Sequence, residues 1–336
     1  MFKSFKRCLS LILSLFPCSV FSTSNNESGS LHMGNDRNQL LQFYTAEGEQ
    51  IHIEREEYRT KVLPYNLKEN WNNPDELFNT IRAALGDNFS EDVVEASKRL
   101  LEIDPNHERG YATYSTVLIN NQKKEEARKL LEDYIQKYGN TSTILTNLAL
   151  THKNPEDAER LVWTALQMDP NNDVTLRLWL VSQNEKKGRE GYKKGLTEAS
   201  KIQGAWRPQI YQFIDYLESH DLKAALSLID HIVKTAPIES GALADLSGYL
   251  GQNGYSDQVL KLILPHYTAE RGNLLGLVNN ILHAFYELKK PEEALAFVKK
   301  EKQHPQNADI VESVSAFQLN QLLEEYQDQF VQMLKQ

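Results

Sequence analysis

The chain has 336 residues, of which 40% are hydrophobic and 25% charged, a balance that excludes collagen-like, mucin-like and wholly disordered readings. Its 16 glycines and 11 prolines are too few for an all-β architecture of many short strands, so a mostly helical protein is expected. A net charge of −9 argues against nucleic acid as a partner, since phosphate-backbone binding needs a basic face to displace counterions.

Residues 1–24 have a positive start (Lys3, Lys6, Arg7), an apolar run from Cys8 to Phe21 and then small polar residues. This is the three-part pattern of a secretory signal peptide, and the apolar run is shorter than the ~20 residues that span a bilayer. Cleavage after Ser22 or Ser24 fits, with an uncleaved envelope anchor or lipidation at Cys18 as alternatives. Export to the periplasm or outside the cell is therefore expected, with no stable membrane span after cleavage. Loss of this segment takes the net charge to −12 and removes Cys8 and Cys18, the two cysteines of the chain. The rest can form no disulfide, Cys-based zinc site or thiol nucleophile. Residues 25–38 are polar, rich in Ser, Asn and Gly, and read as a flexible linker.

Residues 39–72 read as a short module. Leu41 and Phe43, then Ile51 and Ile53, alternate at period two around Ala46-Glu47-Gly48-Glu49, which predicts a β-hairpin. A short helix over Glu56–Leu63 follows, with Pro64 expected to stop it. The hairpin is expected to close the N-terminal end of the fold, or to offer an edge strand to a partner.

From residue 73 to about 307 the periodicity is helical and repeats. Pro105, Pro170, Pro237 and Pro305 follow turns and stand 65, 67 and 68 residues apart, close to twice 34. Gly139, Gly204 and the Thr268 to Gly272 stretch fall halfway. Val93, Ala127, Ala158, Tyr192, Ala225, Val259 and Ala294 mark one register of close-packing positions at intervals of 31 to 35 residues. Asn73-Pro74 and Asn154-Pro155 place an N-cap before proline, and Ser90-Glu91-Asp92 is a third helix start. On these residues the chain resembles the tetratricopeptide repeat family, whose unit is a 34-residue helix-turn-helix with small residues at the helix crossing. The resemblance implies an all-α fold, a right-handed α-solenoid of about seven such repeats, carrying the short N-terminal β-hairpin and closed by capping helices over 308–336. Tyr192 departs from the pattern where a small residue is expected, in the stretch Gly188-Arg189-Glu190-Gly191, so the fourth unit is expected to be irregular. Trp206-Arg207-Pro208 shifts the phase of the fifth.

No phosphate loop, nucleophile elbow, zinc-protease or calcium-loop pattern occurs, so no catalytic residue, cofactor or metal is predicted. His283 reads as a groove or core-edge residue, and Glu125/Glu126, Glu292/Glu293 and Glu324/Glu325 as solvated first-turn or outer-face acids. By the family's pattern the first helix of each unit lines a concave groove. That would place Arg109, Ala112, Thr116, Asn120, Asn140, Thr143, Asn147, Thr151, Val174, Arg177, Val181 and Asn184 against a protein or peptide partner. The carboxylate-clamp set of cytosolic chaperone adaptors is matched only at Asn147. A second candidate is basic: Lys186, Lys187, Arg189, Lys193, Lys194, Lys201 and Arg207 stand against Glu190 and Glu198, a local +5 bordered by Trp206. It suits an anionic polysaccharide or cell-wall polymer. The leading expectation is a non-enzymatic adaptor of the bacterial envelope or secretion machinery that binds protein in the groove, with polymer binding as the alternative.

Overall fold

A computed structural model describes residues 40–44, 50–268 and 274–302. The expected signal peptide, the linker, the hairpin turn, Glu324/Glu325 and the capping helices lie outside these residues.

The chain begins with the expected antiparallel hairpin. β1 (Leu40–Tyr44) pairs with β2 (Gln50–Glu54) in a register that sets Leu41 opposite Ile53 and Phe43 opposite Ile51. Leu41 and Ile53 lie against a core that includes Tyr58, Leu63 and Leu67, so the hairpin is closed by packing on the helix that follows it. That helix corrects the sequence expectation. It runs from Arg55–Glu57 through a π-helical turn, Tyr58–Val62, into α1 (Leu63–Glu69), and Pro64 does not stop it. The Leu63 N–H reaches back five residues to the Tyr58 carbonyl, and this widened turn accommodates a proline ring that an ordinary helical turn excludes.

Helices then follow in pairs. α2 (Pro74–Gly86) and α3 (Val94–Ile103) are followed by α4 (His107–Asn120) and α5 (Lys124–Tyr138), then α6 (Ser142–Thr151) and α7 (Pro155–Met168). α8 (Asp173–Ala199) breaks at Lys187 and Gly188 into two helices, the irregularity expected around Tyr192. α9 (Arg207–Glu218) pairs with α10 (Leu222–Thr235), and α12 (Leu274–Glu287) with α13 (Pro291–Lys302). Between them, α11 (Ala242–Gln252) is followed by a less regular partner: one α turn at Ser256–Gln258, a π turn at Val259–Ile263 and a 3-10 turn at Leu264–His266. Pro105, Pro170 and Pro237 each follow the end of a second helix, where the missing N–H costs nothing. Asn73 caps α2 by accepting from the Asp75 and Glu76 amides, and Asn154 caps α7 through Glu156. Ser90, expected to start a helix, does not. α3 begins at Val94, and the Ser90 hydroxyl instead donates to Asn121 of the following unit at 3.1 Å, with the Asn121 amide donating back to the Ser90 carbonyl at 2.9 Å.

The contacts divide the chain into two compact units: residues up to Asp169 with Arg177–Ser182, and Pro170–Leu176 with Gln183 onward. In the first, each helix from α2 to α7 packs on the next, and α4 also packs on α6. In the second, α9, α10, α11 and α12 do the same, with α9 also on α11. This nearest-neighbour stacking of helix pairs is a tetratricopeptide-like helical-repeat architecture. Its crossing points are buried: Val93, Ala127, Ala158, Ala225, Val259 and Ala294 all lie in cores, whereas Tyr192 is half-buried at the corresponding place. Phe213, fully buried on α9, centres the large core of the second unit.

Ala127 sits at a crossing with no exposed surface, so Ala127→Arg is expected to cost about 3–4 kcal/mol and lower the urea midpoint of the first unit. Glu132→Arg, on the exposed side of the same helix, should leave that midpoint in place. An unchanged midpoint for Ala127→Arg would contradict the crossing.

Candidate functional site

The groove candidates fall into two groups once their partners are known. Arg109 and Asn147 hold the repeats together. The Arg109 guanidinium donates to Asp104, Nε to Oδ2 at 2.6 Å and Nη2 to Oδ1 at 3.0 Å, and its third nitrogen lies 2.7 Å from Asp75. It also covers the Phe78 ring at 5.1 Å. Asp104 is a buried carboxylate, and Arg109 is what makes its charge tolerable. The Asn147 amide is buried and donates to the Ala112 carbonyl, the Ser115 hydroxyl and the Thr116 hydroxyl at 3.0 to 3.1 Å. Thr116 in turn donates to Ala112. The structure therefore brings Asn147, Ala112 and Thr116 together, as a clamp between α4 and α6. Thr151, also buried, accepts from Arg128 of α5.

The remaining candidates are nearer solvent. Asn120 and Thr143 are half-buried and Asn140 is exposed, all in the first unit. Arg177 is half-buried there, while Val174 is half-buried and Asn184 exposed in the second unit. Phe78 and Arg82 of α2 lie outside the second to fourth units, over which the family's groove pattern is mapped. Arg82 is exposed and stands 5.8 Å over the half-buried Phe78 ring that Arg109 covers. An aromatic at the fifth position of a capped first helix, followed one turn later by arginine, is the readable signal.

The basic stretch is largely spent on the second unit's own acids. Arg189 binds Asp215 directly and lies 3.4 Å from Glu218, and Lys193 is 3.6 Å from the same Asp215 carboxylate. Lys194 faces Glu198 at 3.9 Å. Arg207 lies over the Trp206 ring at 4.6 Å, donates through Nε to the Asn171 carbonyl at 2.9 Å and is 3.8 Å from Asp173. Among the described residues, Lys187 and Lys201 make no ion pair.

Asn280 repeats in the second unit what Asn147 does in the first. Its amide donates to the Ala244 carbonyl at 3.0 Å and to the Ser247 hydroxyl at 2.9 Å. Asn171 makes another cross-repeat link: its side-chain oxygen accepts from the Trp206 and Arg207 amides, capping α9 from the preceding unit. On α11, burial pushes the Asp245 carboxyl above its ordinary range, Arg207 partly offsets this and Asp173 adds to it. His283 is partly exposed and 3.8 Å from Glu287. Glu125 pairs with Lys153 and Glu293 with Lys290, both at the surface. Among the described residues no group of three or more His, Cys, Asp or Glu side chains is placed to hold a metal, and no helix is long and apolar enough to cross a membrane. A shallow, open depression between α6 and α7 is lined by Leu148, His152, Asp157, Arg160, Leu161 and Thr164, and Asp157 and Arg160 pair with each other there at 2.6 Å.

No protein family matches the sequence, and no curated protein does. Among solved structures, the chain is similar to the crystal structure of the APC/C hetero-tetramer Cut9–Hcn1, with 14% identity, 82% of this chain and 55% of that chain covered, and a TM-score of 0.35. The chain thus spans about half the length of that protein, and so distant a likeness carries nothing about partner or activity.

Asn147→Ala and Asn280→Ala each remove the amide that ties one repeat to the one before it, losing two or three cross-repeat hydrogen bonds, and each is expected to cost about 1–2 kcal/mol in urea unfolding. Asn140→Ala, at the surface, should be neutral. Asp245 gives a pH signature. With its folded pKa raised, folding carries the burial penalty above that pKa and is free of it once both states are protonated, below the ordinary ~3.9. Asp245→Asn should therefore raise the melting temperature at pH 7, with the gain fading on acidification. A gain independent of pH would show that burial of the charge is not its cause.

Proposed function

We propose that this chain is a non-enzymatic helical-repeat scaffold that binds a protein partner along the first-helix face of its repeats. The observation that carries this reading is the division of labour on α2, α4 and α6. One set of side chains, Arg109, Asn147 and Thr116 among them, is consumed in stacking. A second set, Phe78, Arg82, Asn120, Asn140 and Thr143, is exposed or half-buried on or beside those helices. Short polar side chains, with one aromatic ring on the first of these helices, suit hydrogen bonding to an extended peptide main chain with one apolar contact. The proposal keeps the sequence-derived groove residues Asn120, Asn140 and Thr143 and adds Phe78 and Arg82. Arg109 and Asn147 enter as residues that shape the surface. The pattern over residues 1–24 supports action outside the cytoplasm, in the envelope or in secretion machinery. The polymer-binding alternative loses support, because Arg189, Lys193, Lys194 and Arg207 already face carboxylates of the chain itself.

A photo-crosslinking amino acid at Thr143 or Arg82 should capture a discrete partner in cells of the source organism. The same probe at exposed Glu132 should not, and Asn140→Arg should weaken capture at Thr143 several-fold. Equal capture from all three positions would sink the proposal.

A further inference from the structure

The fourth helix pair is joined differently from the others. Five of the remaining pairs turn in three residues: 121–123, 152–154, 219–221, 253–255 and 288–290. Most of these turns carry a stop signal. Asn154 caps a helix opened by Pro155, Asp221 caps α10 through the Ala224 amide, and Pro291 opens α13. Within α8 the turn is only Lys187 (φ −137°, ψ 18°) and Gly188 (φ 60°, ψ −150°). It has no proline, and the residues around it, Glu185 to Lys187 and Arg189-Glu190, favour helix.

This tight turn depends on two glycines. Gly188 occupies a backbone conformation closed to residues with a side chain. A Cβ at Gly191 would stand 2.2 Å from the Gln183 carbonyl oxygen and 2.9 Å from the Lys187 Cβ, so the folded-back arrangement leaves no room for one. A continuous helix makes neither demand. A straight helix over the same stretch would differ from the observed turn chiefly in the dihedral angles of two residues, and the signals that elsewhere forbid it are missing.

A straightened α8 separates groups that now meet across its turn. The Tyr211 hydroxyl donates to Asp173 at 2.8 Å, Asn171 caps α9 through the Trp206 and Arg207 amides, and Gln183 touches Gly191. These contacts can all be remade if a second copy straightens in the same way and the two exchange the segments that follow. We propose that this protein has a domain-swapped dimeric form in which α8 is one continuous 27-residue helix, about 40 Å long, and the segment that begins at Arg189 packs on residues 170–176 and 183–186 of a second copy. The partner for this surface is the chain itself, and the inference does not depend on the scaffold reading. Arg189–Asp215 and Lys193–Asp215 lie wholly on the exchanged side and survive the swap.

The test uses the full chain with Cys8 and Cys18 replaced by serine, its mass measured by light scattering across a concentration series. Gly188→Ala with Gly191→Ala should lower the apparent dimer dissociation constant at least about tenfold with undiminished helical circular dichroism. Inserting a flexible three-residue segment between Lys187 and Gly188 should hold the chain monomeric. Asp173→Cys with Tyr211→Cys, joined by a short bismaleimide, should give a monomer-mass product in the single chain and a covalent dimer in the alanine background. A folded monomer from the double alanine variant, a chain that loses its helical signal at every concentration, or a dimer joined without crosslinks between copies would each overturn the proposal.

Discussion

Within each of its two units the fold rests on polar contacts between neighbouring repeats. Asn147 inserts its amide between the Ala112 carbonyl and the Ser115 and Thr116 hydroxyls, and Asn280 does the same at Ala244 and Ser247. Apolar stacking alone is tolerant of sliding, because a leucine packs about equally well a fraction of a turn away. A buried amide is not tolerant, since a shifted helix leaves donor and acceptor unpaired in a dry place. These bonds set the register in which the alanines and valines of the crossings meet. Asn171 and the Ser90–Asn121 exchange do the same work at the loops, and the Asp75–Arg109 and Asp173–Arg207 contacts, each between residues 34 apart, do it at helix starts.

Most of the architecture was legible in the sequence because repeats write the same constraint many times. Proline after a second helix, a capping asparagine before another proline and small residues at a fixed interval are local demands, and each can be read without its spatial neighbours. The misreadings fall where one local signal met a non-local partner. Pro64 reads as a stop, yet a single widened turn lets the helix continue. Ser90 reads as a cap, yet Asn121 of the next unit takes its hydroxyl.

The candidate surface was less legible for the same reason. A groove residue and a clamp residue are both short polar side chains on a first helix, and nothing local separates Asn147 from Thr143. The basic stretch is the clearest case. Counted along the chain it is an excess of positive charge, but Asp215, 26 residues beyond Arg189, takes two of its cations. Sequence gives the charges in order of position, and electrostatics depends on their order in space. What this region contributes is the anchoring of α8 to α9, with a half-buried tyrosine under Arg189 in place of the usual small residue.

The cross-repeat bonds also bear on how the chain reaches its structure. The links between neighbouring repeats, such as Asp75–Arg109, Ser90–Asn121 and Asp173–Arg207, join residues about a tenth of the chain length apart. Loop closure over such distances costs little entropy, and topologies dominated by them fold in microseconds to milliseconds. No strand has to wait for a distant partner, so a helix pair can settle on its predecessor as soon as both exist, whichever end forms first. The repeat spacing that organises the surface thus also spares the chain a slow search.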